Sequence, residues 1–308
     1  MFKRILFADD GSGRIEGAFS AATALAAREH AQLILVHVSP EDAPPQGEME
    51  ISANLHSRVE ALRAAGLSAE SHMKFGHPAE KLADAALASN ADLLVISPQH
   101  HSILQSLRHP SVTARIIGQA TVPVLIWPQQ LPGTAFDDLL TKPTAEVIVP
   151  LDGSKEAERA LPMAQALARA YGQLLLLVRA ISPAPIVGTG IPYPIEIHTQ
   201  EDDARDARHY LHDLRRRIAT TTELTVESML LSGDPATELA HLAAEHHGSL
   251  VVMTTRGRGR VARLLLGSVA TELLRQAETP LVIIPPLHSP AAQSQPAETD
   301  TENPESTI

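Results

Sequence analysis

Short apolar runs alternate with longer amphipathic stretches along most of this chain, and the second half shows the pattern most clearly. Five apolar runs there predict strands buried on both faces: Val147–Leu151, Leu174–Ala180, Leu224–Leu231, Leu250–Thr254 and Leu281–Ile284. Four segments with helical spacing lie between them: Glu156–Ala170, the run Ala204, Ala207, Leu211, Leu214 and Ile218, then Ala236–Glu245 after Pro235, and Ser268–Ala277. This alternation predicts an α/β fold with a parallel sheet and helices on both faces.

The pattern occurs twice. Val95–Pro128 aligns without a gap with Val252–Pro285, so that Ser111 pairs with Ser268. Upstream, FGHPAEKLADAA pairs with SGDPATELAHLA, and RILFADDGS near the start pairs with EVIVPLDGS. The sequence therefore predicts two tandem units of five strands each, in a Rossmann-like or flavodoxin-like order, with ligands at the carboxyl ends of the strands.

We expect the first unit to span 1–128 and the second unit 145–286. Residues 129–144 are predicted to form a linker. The last stretch, 287–308, is rich in Pro, Ser, Thr and Glu and is predicted to be disordered. Each unit ends in a predicted strand, at Val124–Trp127 and Leu281–Ile284, and the open edge of such a strand needs covering.

Composition and charge exclude or disfavour several classes of function. The 308 residues contain no cysteine, which excludes disulfides, thiolate catalysis and cysteine-based metal sites. A formal net charge of −11 argues against nucleic acid as a partner. No apolar run reaches the roughly 18 residues of a membrane span, so we expect no membrane association. The absence of a secretory signal pattern and of cysteine leads us to expect a cytoplasmic location. The pairs His100-His101 and His246-His247 are poorly spaced for chelation, and no metal site is predicted.

A glycine-containing loop offers the best candidate chemistry. GRGRVARLLLGS (257–268) lies between a predicted strand and a predicted helix, where backbone N–H groups and the helix dipole favour phosphate. We expect Gly257 and Gly267 to supply positive φ and close backbone approach, and Ser268 to cap the helix. A Walker A loop is excluded because no Lys precedes Ser268, and a dinucleotide fingerprint over Gly257, Gly259 and Ala262 would follow the wrong strand.

The spacing of Gly257, nine residues, Gly267 and Ser268 resembles the phosphate loop of the universal stress protein family. The D-G-S segments at Asp10 and Asp152 and the two G-[HD]-P-A segments resemble the same family, in its tandem form. Thr254 departs from it, because the family has glycine there. The resemblance covers nearly the whole chain except the linker and the tail.

Many members of that family bind ATP, so the resemblance implies a nucleotide site in the second unit. Asp152 would contact adenine, and the Ala180 backbone would make a second contact; the alternative for Asp152 is a helix N-terminal or turn residue. Gly257, Gly267, Ser268 and the Val269 backbone would hold phosphates and ribose. The complete implied set is Pro150, Asp152, Ala180, Thr254, Thr255, Gly257, Gly267, Ser268 and Val269.

The first unit departs from this pattern. His100 stands where the second unit has Gly257, and Pro110 stands where it has Gly267. Proline has no N–H to donate, so we expect a damaged phosphate cradle and at most one nucleotide site per chain. The first unit would then serve packing, pairing or a different ligand.

The resemblance implies an ATP-binding regulatory protein of the stress response, with ADP or AMP as other ligands and Mg²⁺ as a companion ion left open. A slow ATPase and a nucleotide-free scaffold remain alternatives. No catalytic residue is predicted, because no general base and no Mg²⁺-holding Ser or Thr after a Lys is evident. The resemblance also implies that the two units pack as a pseudo-dimer within the chain, because single-domain members of the family pair through their last strands. The protein partner is unknown, and association of two chains into a homodimer is left open.

Overall fold

The computed structural model describes residues 1–98, 111–134, 136, 139, 142, 145–182, 200–246, 248–255, 266–276 and 279–286. The strands are β1 (Arg4–Asp9), β2 (Gln32–Ser39), β3 (Ala69–Phe75), β4 (Leu93–Ile96), β5 (Val124–Ile126), β6 (Glu146–Pro150), β7 (Leu174–Ile181), β8 (Val226–Ser232), β9 (Leu250–Thr254) and β10 (Leu281–Ile284). The helices are α1 (Glu16–Glu29), α2 (Pro45–Ala64), α3 (Pro78–Ala88), α4 (Val112–Gln119), α5 (Lys155–Glu158), α6 (Leu161–Tyr171), α7 (Gln200–Thr221), α8 (Pro235–Glu245) and α9 (Ser268–Gln276).

These strands form one sheet of ten strands in the order β3-β2-β1-β4-β5-β10-β9-β6-β7-β8. Within each unit all pairs are parallel, and the order of the five strands is 3-2-1-4-5. This is the Rossmann-like order, so the α/β fold predicted from the sequence is confirmed and the flavodoxin-like order, 2-1-3-4-5, is not the one adopted.

The apolar runs are buried on both faces because helices cover both sides of the sheet. One core contains Phe7, Leu35 and Leu177 and packs against α1, α2, α6 and α7. The other core contains Leu6 and Leu94 and packs against α3, α4, α8 and α9. Alternate residues of each strand enter alternate cores, which explains why the strands read as continuous apolar runs.

The two units join through their last strands, as predicted. β5 and β10 pair antiparallel, with Leu125 opposite Val282. Because the join is antiparallel, the strands of the two units run in opposite directions. The carboxyl ends of the first unit's strands therefore lie along one rim of the sheet, and the carboxyl ends of the second unit's strands lie along the opposite rim.

The segment between the units packs tightly against the first unit. The side chain of Trp127, the chain's single tryptophan, is fully buried, and its Nε1 donates to the Leu131 carbonyl at 3.2 Å. Phe136 and Leu139 are buried in the core beside it. A Cβ added to Gly17 of α1 would lie 2.2 Å from that Leu131 carbonyl oxygen. Only glycine therefore allows the linker to approach α1 so closely.

One predicted helix is divided in the structure. The sequence predicts a helix over Glu156–Ala170, whereas α5 ends at Glu158 and α6 begins at Leu161. Pro162 explains the break, because its ring would clash with the carbonyl of Glu158 in a continuous helix and it has no N–H to donate. In the first turn of a new helix that missing donor has no consequence.

Candidate functional site

A cavity of about 290 Å³ opens at the carboxyl ends of the second unit's strands, and we call it the second cavity. It lies where β6 and β9 are neighbours, the point at which the strand order reverses and ligands bind in such sheets. All the residues predicted for the site line it, except Gly257, which lies outside the described residues. They are Pro150, Asp152, Ala180, Thr254, Thr255, Gly267, Ser268 and Val269.

Several other residues line the second cavity that the sequence analysis did not single out: Leu151, Ala157, Pro235, Leu239, Met253 and Ala270. Pro235 belongs to the G-D-P-A segment, whose repetition could have indicated it. It opens α8, and Asp234 caps this helix by accepting the Thr237 N–H at 3.0 Å. That hydrogen bond holds the pKa of Asp234 below its ordinary value. The segment thus fixes the start of α8 against the cavity.

Asp152 forms the turn that follows β6. Its Oδ1 accepts the Ser154 N–H at 2.9 Å, and Gly153 between them has φ of +84°, which glycine adopts without strain. Ser154 in turn caps α5 by accepting the Ala157 N–H at 3.1 Å. The turn role that the sequence left open for Asp152 is therefore present. It places the aspartate on the wall of the second cavity.

Thr255 carries a buried hydroxyl that has no hydrogen-bond partner among the residues that the structure describes. The residue follows β9 and is only 1% exposed. A buried hydroxyl without a partner costs about 1–3 kcal/mol, so its presence beside a cavity calls for an explanation. The neighbouring Gly267 donates its N–H to the Thr255 carbonyl at 2.8 Å. A Cβ on Gly267 would lie 3.3 Å from the same oxygen.

The start of α9 corrects two details of the sequence analysis. Gly267 does not adopt positive φ, so its contribution is the close approach to Thr255 alone. Its carbonyl accepts the Thr271 N–H at 3.0 Å, which makes Gly267 the residue that precedes the helix. Ser268 is the first helical residue and does not cap it. Gly267 has no side chain that could cap α9, and the first N–H groups of a helix have no partner within it.

A group of polar and charged side chains lies near the end of β7, outside the set of residues that line the second cavity. The Arg179 guanidinium lies 5.4 Å from the centre of the Tyr210 ring, and the Tyr210 hydroxyl donates to Glu158 at 3.1 Å. Burial first, and then the Glu158 carboxylate, raise the pKa of Tyr210, so this phenol stays protonated and acts as a donor. Arg217 also bonds Glu158, at 2.9 Å. Opposite charges are thus paired within this group of side chains.

The first unit contains an equivalent cavity, which the sequence analysis did not predict and which we call the first cavity. It also has a volume of about 290 Å³ and lies at the ends of β1, β2 and β4. His100 and Pro110, on which the expectation of a damaged cradle rests, lie outside the described residues. Ser111, however, caps α4 by accepting the Ala114 N–H at 3.1 Å. The helix start that faces this cavity is therefore capped.

The fold and the two cavities define a class: a tandem pair of Rossmann-like units joined in one sheet, each with a ligand-sized cavity at its strand ends. The Universal stress protein family model matches residues 1–128 and 144–285. The chain belongs to this family, as the resemblance in its motifs indicated.

Known relatives agree with this assignment. A universal stress protein of Thermus aquaticus is 31% identical over 138 residues, which are 45% of this chain and 96% of that protein. One from Mycobacterium bovis is 28% identical over 149 residues, 47% of this chain and 50% of its own length. The crystal structure of a universal stress protein from Archaeoglobus fulgidus superimposes with a TM-score of 0.66, at 18% identity, over 92% of this chain and 96% of that one. This last likeness concerns the fold alone.

Among the helices in the described part of the chain, none has the length and apolar character that crossing a membrane requires.

Proposed function

We propose that this chain is an ATP-binding regulatory protein of the stress response and that the second cavity holds the nucleotide. The observation that carries the proposal is the second cavity at the switch point of the sheet, where the start of α9 lies beside Thr255, whose buried hydroxyl has no partner among the described residues. A phosphate oxygen is an acceptor that would satisfy both this hydroxyl and the first N–H groups of the helix. ADP and AMP have the same acceptors and are candidate ligands as well.

The walls of the second cavity suit the two ends of a nucleotide. Leu239 and Met253 offer apolar surface to a flat base. Asp152 and the Ala180 backbone would contact adenine at this end, as the family resemblance implies. Ser268 and Val269 would hold phosphates at the other end, where the helix dipole favours negative charge. The 290 Å³ of the cavity is close to the lower limit of small-molecule sites.

Binding, with its effect on protein partners, is the output that we propose. Phosphoryl transfer needs groups that position Mg²⁺ and water, and the sequence offers no clear candidates for them. ATP hydrolysis is accordingly an outcome to be measured, with and without Mg²⁺. The cytoplasmic location, the homodimer and the domain boundaries at 128, 144 and 286 also remain predictions.

A proline substitution can test the role of the α9 start. Proline is well tolerated at the first helical position, where it removes one N–H without disturbing the helix. Ser268→Pro should weaken ATP binding about tenfold or more, because a hydrogen bond to a charged group contributes about 1.5–3 kcal/mol. Ser268→Ala removes only the hydroxyl and separates its contribution. Val112→Pro places the same change at the first residue of α4 and should leave ATP binding unchanged.

The measurement is isothermal titration of the nucleotide-free full chain with ATP, ADP and AMP, together with the amount of nucleotide released from the purified protein. About one nucleotide per chain, weakened by Ser268→Pro and not by Val112→Pro, would support the proposal. If the wild type binds no nucleotide, or if both proline variants behave alike, the second cavity is not the nucleotide site.

A further inference from the structure

β8 lies last in the ten-stranded sheet and pairs with a single neighbour, β7, among the strands that the structure describes. The backbone N–H and C=O groups on its outer side therefore face no other described strand. Such an edge can pair with a further extended segment, whose main chain supplies affinity and whose alternate side chains supply specificity. Leu230 and Leu231 of β8 also line an open groove at its carboxyl end. The edge thus offers hydrogen bonds and apolar contact together.

Three arginines of α7 lie beside this edge, and we call them the arginine stripe: Arg205, Arg208 and Arg215. Arg205 and Arg208 line the same groove as the two leucines of β8. Arg215 follows Arg208 after two helical turns, so it lies on the same side of α7, about 10 Å further along. All three residues are exposed, and within the described part of the chain only Arg205 has an ion pair, with Asp202 at 3.4 Å. The stripe therefore suits an acidic ligand.

The opposite edge of the sheet, at β3, differs in its charges. Arg63 of the neighbouring α2 donates from Nε to the Ala69 carbonyl at 3.0 Å and also pairs with Glu60 at 3.2 Å. On β3 itself, Glu70 lies 3.4 Å from His72. This edge carries carboxylates and an arginine that is already engaged, so an acidic segment would favour the edge at β8 over the edge at β3.

A segment of this same chain has the matching charge pattern. Residues 297–303, which lie outside the described residues, read AETDTEN, so that an acid stands at every second position: Glu298, Asp300 and Glu302. In an extended strand alternate side chains share a face and each residue advances about 3.3 Å, so the three carboxylates would form one row about 13 Å long. The arginine stripe covers ten residues of helix, about 15 Å. The two rows of charge thus have nearly the same length.

We propose that residues 297–303 add to the open edge of β8 as a further strand, with their carboxylates against the arginine stripe. The strands of the second unit are parallel, so β10 and β8 end at the same rim of the sheet. The shorter path from there runs antiparallel to β8, from Ser232 towards Val226. Residues 287–296 can span about 33 Å when extended, whereas a strand beyond β8 lies about 24 Å from β10. The connection is therefore long enough.

The register of the added strand determines which side its acids face. Leu230 contacts the core that packs against α7, whereas its neighbour Leu231 contacts the other core. With Asp300 opposite Ser228, all three acids lie on the α7 side of the sheet, beside the arginines. A shift of one residue would move them to the face that carries Glu227, where like charges repel each other. Charge therefore favours one register over the other.

Hydrogen exchange of the full chain tests the proposal at the outward-facing amides of β8. These amides should exchange at least about tenfold more slowly in the full chain than in a chain that ends at Pro296. The double variant Arg208→Glu with Arg215→Glu should lose this protection, because it reverses two charges of the stripe. Addition of Glu298→Arg and Glu302→Arg to the double variant should restore the protection, because the opposite charges then face each other again.

Arg115→Glu is the control, because it reverses the charge of an exposed arginine on α4, on the other face of the sheet. It should leave the protection of β8 unchanged. Equal exchange of β8 in the full and the shortened chain would overturn the proposal, and so would a quadruple variant that stays unprotected. Protection that is lost on dilution would show that a second copy supplies the strand, which would also overturn it. These experiments need no nucleotide, so they are independent of the proposed function.

Discussion

Replacing Thr255 with valine should stabilise the free protein and weaken nucleotide binding at the same time. The Thr255 hydroxyl is buried and has no partner among the residues that the structure describes. Valine keeps the shape of threonine and removes the unsatisfied group. Since such a group costs about 1–3 kcal/mol, we expect Thr255→Val to raise the free energy of unfolding by about 1 kcal/mol. For a chain of this size that corresponds to a rise in Tm of about 2 °C.

Thr279 supplies the matched control. It is also a buried threonine of the second unit, but its hydroxyl donates to the Ala243 carbonyl at 3.0 Å. Thr279→Val should therefore lower the free energy of unfolding by about 1–3 kcal/mol, because it leaves that acceptor unpaired. The same chemical change is thus expected to have opposite signs at the two positions.

The assay is urea unfolding of nucleotide-free protein, followed by the fluorescence of Trp127, and titration of each folded variant with ATP. Thr255→Val should also bind ATP about tenfold more weakly, whereas Thr279→Val should bind it normally. A loss of stability in Thr255→Val equal to that in Thr279→Val would show that the Thr255 hydroxyl already has a partner. In that case the argument from an unsatisfied donor would fail.

Three further predictions concern other parts of the chain. Gly17→Ala should lower the free energy of unfolding, measured in urea, by about 1–3 kcal/mol, because the added methyl group collides with the Leu131 carbonyl. Gly47→Ala, in open space within α2, should raise the free energy of unfolding by about 0.5–1 kcal/mol. Ser111→Ala should lower the free energy of unfolding by about 1 kcal/mol, because it removes the cap of α4, and Ser268→Ala should lower it by less than about 0.5 kcal/mol. Equal losses in the two variants would contradict the assigned helix starts. Burial would raise the pKa of Glu29, but hydrogen bonds from the N-terminal ammonium and a tyrosine outweigh it and lower that pKa below 4.5. The resulting stability is present above pH 4.5 and is lost as the pH falls below it, so the free energy of unfolding of Glu29→Gln should depend less on pH below 4.5 than that of the wild type.

Strand positions and the pairing of the units could be predicted from the sequence, because both depend on local apolar runs and on the repeat. Val124–Trp127 and Leu281–Ile284 lie at equivalent places in the repeat, and open edges of equal kind tend to cover each other. Eight of the residues that line the second cavity followed from the resemblance to the family. For these features the information lies in short segments of the chain.

The helix starts could not be predicted in the same way. Ser111 and Ser268 are the same residue at the same place in the repeat, yet only Ser111 caps its helix. The difference arises because Gly267 docks its N–H on the Thr255 carbonyl, a contact between segments that the sequence does not reveal. The first cavity was missed for a related reason. Its volume depends on apolar residues from several strands and helices, whereas the prediction of a damaged phosphate cradle depended only on His100 and Pro110.

The shared sheet has a consequence for how nucleotide affects the whole chain. β5 and β10 pair across the join, and Trp127 lies among residues of both units, including Leu167 and Val282. Unfolding either unit would expose this common core, so the chain should unfold in one transition. ATP bound in the second cavity should then stabilise the first unit as well, by about 2.7 kcal/mol at 100 times the Kd.

This coupling can be measured by thermal unfolding with two probes. Trp127 fluorescence reports on the join, and hydrogen exchange of β1 and β2 amides reports on the first unit far from it. Both should shift together when ATP is added, and both shifts should fall to the equivalent of about 1.4 kcal/mol or less in Ser268→Pro at the same ATP concentration, because a tenfold weaker affinity leaves ATP at about 10 times the Kd. Protection that rises in β6 and β7 but not in β1 and β2 would mean that the units unfold separately. The join would then be too weak to transmit binding, and the first unit's stability would have to come from its own core alone.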